Sequence, residues 1–500
     1  MSTNASSSSS WVVEIQEEKM PEDSGGANEE LRDGSELALR AEKKGNSSSW
    51  MVDMEKLLLE DTRPSVEMAR WNQCYIYRVP ECLKKMTNRD AYQPQFVSLG
   101  PLHHGETHLL PMEKHKRRAV QHVVKLARKP LTEFVAAIEQ VADELEAAYD
   151  GLDDRWRGVN RGSFVQMMVT DGCFLFELMQ PSLFAEGEGD HTGYADNDPV
   201  FSRSSFQNLW PTLWNDMIAM ENQIPLVVLQ RIALWSDKPS SARWINNTAR
   251  CLLWAPRIEE GWDNLGLHLL HILHKSYCGI TPEEPTGNSC RQQLLQWASS
   301  CWSRAAGAAA AAAAAEPRTP CAVELNEAGI QFKISNTESI HDVDFDNGVL
   351  SMPVFEFHDQ TEVELLNLMA FEWLHPDPKS DVRSYISFVD KITESERDVA
   401  LLRSKGIFVN MIGRDKAVVE MFNTLTKLAR TPDEGSRLYR VLSKVNAHCK
   451  KRRNKWRAMF MNNYLSNPWV FISLVAAVIL LIATIMQTIY TVVPFYTRKD

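Results

Sequence analysis

In the stretch PLTEFVAAIEQVADELEAAY, apolar residues return every three or four positions: Leu131, Phe134, Ile138, Val141, Leu145 and Ala148. That spacing predicts an amphipathic helix over 131–148 with its stripe in a core and an acidic outer face. SFVQMMVTDGCFLFELM is apolar nearly all round, which predicts a buried helix, and Ser163 with Gln166 has capping-box spacing at its start. Asp171 within that run calls for a basic partner. NLWPTLWNDMIAMENQIPLVVLQRI reads as another apolar helical stretch, interrupted at Pro225.

Past residue 320 the period changes. GIQFKI and VDFDNGVLSMPVFEF alternate apolar and polar around Asn347-Gly348, a hairpin-type turn. Helices resume at TEVELLNLMAFEWL, with Thr361 and Glu364 as a capping box. Thr393 and Glu396 repeat the spacing, and Gly406 is placed to close that helix. The pattern predicts a mainly α fold, a large helical body with a small antiparallel β-hairpin or sheet in the second half.

The longest apolar run, Trp469 to Val493, carries no charge in 25 residues. As a helix it reaches roughly 37 Å, more than the ~30 Å hydrocarbon core of a bilayer. Trp469 and Tyr490 near its ends fit interfacial anchors, and one transmembrane helix over 469–493 is predicted. Lys450 to Arg457 holds six basic residues, whereas the tail 494–500 offers Arg498 and Lys499. The excess before the span predicts a cytosolic body, inserted after synthesis as a C-terminal anchor in the plasma membrane or an endomembrane. The strip at 450–457 should also attract anionic lipid headgroups, at about 1 kcal/mol per residue near the surface.

Composition divides the remainder. Residues 1–50 are rich in Ser, Glu, Gly and Asn, which predicts a disordered acidic tail, and the start lacks the basic and apolar regions of a signal peptide. Residues 51–304 form a helical first part, 305–320 a polyalanine low-complexity insert, and 321–457 a second part with the hairpin and helices. The net charge of −11 argues against nucleic acid as a partner. Nine cysteines without a C-x-x-C pair read as reduced thiols. Three N-x-[ST] sequons, at Asn4, Asn46 and Asn246, would permit glycosylation of a non-cytosolic body.

Two histidine groups are the candidate chemistry. FVSLGPLHHGETHLLPMEKHK contains His103, His104, His108 and His115 with Glu113, but Gly100-Pro101 and Gly105 give it loop composition. Pro111 fits the first turn of a helix and Glu113 lies beside its N-terminal dipole. A structural loop and cap are expected there, with a metal site as the weaker reading. LHLLHILHKSYC places His268, His271, His274 and Cys278 on one helical stripe opposite Leu269, Leu270, Ile272 and Leu273. A polar stripe of that kind is expected to be solvated surface, with metal binding or pH sensing as the rival. Asp216 and Glu221, five apart on a helix, would point about 140° away from each other and so serve structural roles. The chain has no phosphate-binding G-x-x-x-x-G-K-[ST], no G-x-S-x-G and no H-E-x-x-H. No catalytic residue, cofactor or resident metal is therefore expected.

Several segments in order resemble the plant family called domain of unknown function 247. They include IYRVPECLKKMTNRDAYQPQFVSLGPLHHG, MEKHKRRAV, MVTDGCFLFELM, MIAMENQIPLVVLQRI, FDNGVLSMPVFEF, LLRSKGIFVNMIG and NPWVFISLVAAVILLIATIMQTIY. The match runs from about Cys74 to Tyr490, with the N-terminal tail and the polyalanine insert outside it. The resemblance implies a plant membrane protein with one C-terminal span and no established enzymatic chemistry. Some grass relatives look like pollen-side determinants of self-incompatibility acting with small secreted partners. The expectation is a non-enzymatic membrane-anchored protein that works through a protein partner or in signalling. A self-recognition receptor with a non-cytosolic body and a metal-dependent hydrolase using the His-rich loop are the alternatives.

Overall fold

In the computed structural model, residue 54 and residues 63–180, 193–257, 262–279, 319–375, 380–451 and 468–497 are described. The acidic tail, the greater part of the polyalanine insert and most of the basic strip lie outside them. In chain order the first helices are α1 (Pro64–Gln73), α2 (Glu81–Met86), α3 (Leu110–Ala127), α4 (Leu131–Glu139), α5 (Ala142–Ala147) and α6 (Arg161–Leu178). Next come α7 (Arg203–Ile218), α8 (Leu226–Trp235), α9 (Ala242–Leu252), α10 (Leu269–Cys278) and α11 (Ala322–Glu327). Strands β1 (Gln331–Ile334), β2 (Asp344–Asp346), β3 (Val349–Met352) and β4 (Phe355–Phe357) precede α12 (Thr361–Leu374), α13 (Asp381–Ile392) and α14 (Glu396–Ser404). Strand β5 (Phe408–Asn410), α15 (Asp415–Leu425), α16 (Arg437–Lys450) and α17 (Pro468–Thr497) complete the order.

The apolar run of α6 is buried on nearly every side, packed against α3, α4 and α8. Its Asp171 finds the required cation: Lys116 Nζ on α3 lies 2.7 Å from Asp171 Oδ1, with both side chains removed from solvent. The helix read over 131–148 is two helices, α4 and α5. The chain turns at Gln140–Val141, so that Phe134, Ile138, Ala142 and Leu145 all stay on the curving core surface.

The predicted capping boxes are displaced. Ser163 and Gln166 lie inside α6, because a preceding 3₁₀ turn moves the cap position back to Asn160. Thr361 is the first helical residue of α12, where its hydroxyl accepts a hydrogen bond from His358 N at 3.0 Å. The box of α14 is two residues later than read: the Asp398 carboxylate accepts from Ser395 N and Ser395 Oγ, 3.0 and 2.6 Å away. Gly406, at φ 74°, closes α14 as the sequence predicts.

Asn347 and Gly348 take φ 48° and 85° and join β2 to β3 as the expected antiparallel hairpin. Two pairings go beyond it. Strand β1 runs parallel to β3, and β4 runs parallel to β5 in a separate two-stranded sheet.

One hydrophobic cluster runs from Cys74 to Val445, across both parts of the body. Asn367 on α12 is a polar tie within it: its Oδ1 accepts from Met220 N at 2.8 Å, and its Nδ2 donates to Ala91 O at 2.6 Å. Helix α17 contains an apolar segment, Ile472–Tyr490, long enough to cross a membrane, with mean hydropathy 2.4 and none of it buried.

Candidate functional site: a pocket beside two histidine clusters

The His-rich segment before α3 is a loop whose backbone is held by buried side chains. Asp216 at the end of α7 accepts from the N–H groups of Gln95, Phe96 and Val97 at 2.7–2.8 Å. Burial raises the Asp216 carboxyl to about 6, against the pull of those three donors. Asn222 Oδ1 accepts from Leu99 N at 2.6 Å, and Asp171 Oδ2 accepts from Gly100 N at 2.8 Å. At Gly100 (φ 79°) a Cβ would stand 2.6 Å from Gln223 O, so both the backbone conformation and the space require glycine.

The four loop histidines do not meet at one point, although His103 and His108 both flank Glu106, at 2.7 and 3.8 Å. His103 is buried between Glu106 (2.7 Å) and Glu221 (3.0 Å). His104 packs edge-on against Trp156, His108 reaches Pro94 O at 3.1 Å, and His115 Nδ1 meets Arg118 at 3.0 Å. Glu113 lies 2.6 Å from Lys116, and Pro111 sits in the first turn of α3. Glu221 leaves the helix altogether, because the chain between α7 and α8 is a buried loop. It accepts from Val79 N at 2.7 Å and pairs with Lys84 Nζ at 2.8 Å. Burial opposes ionisation there, but His103 and Lys84 outweigh it and hold the carboxyl below its usual range. Asp216 and Glu221 thus support different segments.

The second histidine group departs from the sequence reading. The stripe expected to face solvent is turned inward, because α10 packs against α7, α9, α12 and α13. His268 caps α10: its Nδ1 accepts from His271 N, and its Nε2 donates to Tyr75 O at 3.1 Å. Burial pushes His268 down to about 3 and His271 well below its ordinary value, so both imidazoles are neutral. His274 is buried, with Nε2 2.8 Å from Glu372 Oε1 on α12 and 3.6 Å from Cys278 Sγ one turn on.

Beside α10 opens a cavity of about 490 Å³. Tyr277, Glu356 on β4, Glu364 on α12 and Tyr385 on α13 line it, with Arg250 and Trp254 from the end of α9. Glu364 is 3% exposed, and burial raises its carboxyl to about 7 despite a hydrogen bond with the Tyr277 side chain. His358 Nε2 lies 3.9 Å from Glu364 Oε2. The Tyr385 hydroxyl is buried and has no hydrogen-bond partner. These groups can exchange hydrogen bonds with a ligand; among the described residues lining the cavity, none is Ser, Cys or Lys. Glu372 and Tyr385 escaped the sequence reading, and Glu364 figures there as half of a capping box. The available signal was two carboxylates inside the apolar run of α12, since an acid there has to be buried against donors.

A mainly helical body with small sheets and one membrane-length apolar helix is the class of protein these features define. A family profile described as "Plant protein of unknown function", DUF247, matches residues 76–483, and the chain belongs to that family. It is 28% identical to the UPF0481 protein At3g47200 of Arabidopsis thaliana, over 87% of this chain and 89% of that one. It is 22% identical to the putative UPF0481 protein At3g02645 of the same plant, over 91% of this chain and 96% of the relative. No solved structure matches it.

Proposed function

We propose that this is a non-enzymatic, single-pass membrane protein whose helical body acts through a protein partner or in signalling. The carrying observation is α17, whose segment Ile472–Tyr490 is uncharged, apolar and wholly unburied. An unburied apolar surface of that length is stabilised by lipid rather than by water. Among the described residues, the cavity beside α10 is lined by hydrogen-bonding groups and by no Ser, Cys or Lys, which favours binding over turnover.

Deleting Trp469 to Asp500 should move the protein from carbonate-washed membranes to the soluble fraction. Retention in the membrane would sink the reading. We place the body in the cytosol from the basic excess before the span. External protease on sealed microsomes should then digest the body and spare only the anchor. A protected body would instead favour the self-recognition receptor. Asn246 is a poor reporter of side: its Nδ2 donates to Asn264 O at 2.8 Å and its Oδ1 accepts from Gly266 N at 2.9 Å. A glycan on that nitrogen is incompatible with this packing.

A further inference from the structure

We propose that Cys278, His341 and Asp381 bind a divalent transition cation, preferentially zinc, at a site between α10, the loop after β1 and the start of α13. The site is independent of the membrane-protein reading. Their ligand atoms, the Cys278 sulfur, an imidazole nitrogen and a carboxylate oxygen, all lie within 4.8 Å of one another. Around tetrahedral zinc, such atoms sit at 2.0–2.3 Å from the ion and therefore roughly 3.3–3.7 Å apart. His341 Nε2 is 3.3 Å from Asp381 Oδ2 yet makes no aligned hydrogen bond, leaving a buried nitrogen without a hydrogen-bond partner. Two ligands of one ion face each other in this way. Thiolate, imidazole and carboxylate together select zinc over calcium or magnesium.

A supporting shell stands behind the ligands. Cys278 also belongs to a second group with His274 and Glu372. Glu372 is already committed: it accepts from His274 Nε2, from Val382 N at 2.8 Å and from Arg383 N at 3.0 Å. It therefore orients His274 and the start of α13 rather than facing the ion. With Nε2 committed to Glu372, His274 places its other nitrogen, Nδ1, 3.9 Å from the sulfur. His341 and Asp381 are partly exposed, at 29% and 24%, which gives the ion a path from solvent and leaves a fourth position for water. Each ligand adjoins a residue of the cavity wall, Tyr277, Ile340 or Val382, so an ion here would tie three wall segments together.

The test uses the full-length chain in detergent, stripped with a chelator and titrated with Co²⁺ and then Zn²⁺. We expect about one ion per chain, with a near-ultraviolet sulfur-to-cobalt band and visible absorption of tetrahedral strength. Asp381→Asn and His341→Gln should each weaken zinc at least about tenfold, and Cys278→Ser should abolish the sulfur band. Asp381 is partly exposed, so Asp381→Asn keeps the test decisive should Cys278→Ser fail to fold. His104→Ala should bind as the parent does. Absence of stoichiometric uptake would overturn the site, as would unchanged affinity in both Asp381→Asn and His341→Gln. Binding lost in Glu372→Gln but kept in Asp381→Asn would overturn this ligand set in favour of the inner one.

Discussion

The loop before α3 and the surroundings of α10 are both dense in histidine, but they use it in opposite ways. In the loop, His103 and His108 flank Glu106 while His104 and His115 turn to Trp156 and Arg118, and the backbone is clamped by Asp216, Asn222 and Asp171. Around α10, side chains from distant segments meet one another: His274 with Glu372, Cys278 with His341 and Asp381. Density along the chain therefore says little about convergence. The crowded sequence motif is held from beneath by carboxylates on other helices, and the convergent cluster draws on residues a hundred positions apart.

The comparison can be broken first at the clamp. Asp171→Ala should cost about 3 kcal/mol, because it leaves buried Lys116 with Glu113 as its sole carboxylate partner and frees Gly100 N. The midpoint of urea unfolding of the detergent-solubilised chain measures this. A loss under about 1 kcal/mol would mean that the loop does not depend on its clamp.

The next effect belongs to the α10 side and to pH. The Glu364 carboxyl is raised to about 7 in the fold from an ordinary 4.5. The folded state then holds a proton that the unfolded chain releases, so this contribution is complete below pH about 4.5. It is lost as pH rises through about 7, by on the order of 3 kcal/mol. Glu364→Gln cannot ionise and should flatten the decline, which thermal unfolding between pH 5 and pH 8 would detect. An equally steep decline in the variant would assign the pH dependence elsewhere.

The smaller effects separate neighbouring histidines. His103→Ala removes one of the partners of buried Glu221 and should cost about 1–3 kcal/mol. His104→Ala loses only an edge contact with Trp156 and should cost about 1 kcal/mol or less. Neither should change bound metal. Loss of an ion with either substitution would restore the hydrolase reading of the loop.

Much of the fold was legible because its signals are local. The period of α6, the Asn347-Gly348 turn and the uncharged run of α17 each follow from neighbouring residues. The capping boxes misled because Ser/Thr-x-x-Glu or Gln also occurs where no helix begins. Glu364 shows why: its carboxylate is drawn into the cavity with Tyr277, away from any cap. The parallel pairings of β1 with β3 and β4 with β5 depend on strands distant in sequence, which no alternation reveals. The His268–His274 stripe failed on a physical assumption, that polar means solvated. Buried neutral imidazoles with hydrogen-bond partners are equally stable.

Asn367 carries one more consequence. Its amide links α12 to backbone at Ala91 and Met220, so the two ends of the body are joined by buried hydrogen bonds as well as by the peptide chain. Two separately expressed fragments, ending at Gly279 and beginning at Thr319, should reassociate and copurify, making the chain a natural scaffold for fragment complementation; Asn367→Leu should prevent their reunion.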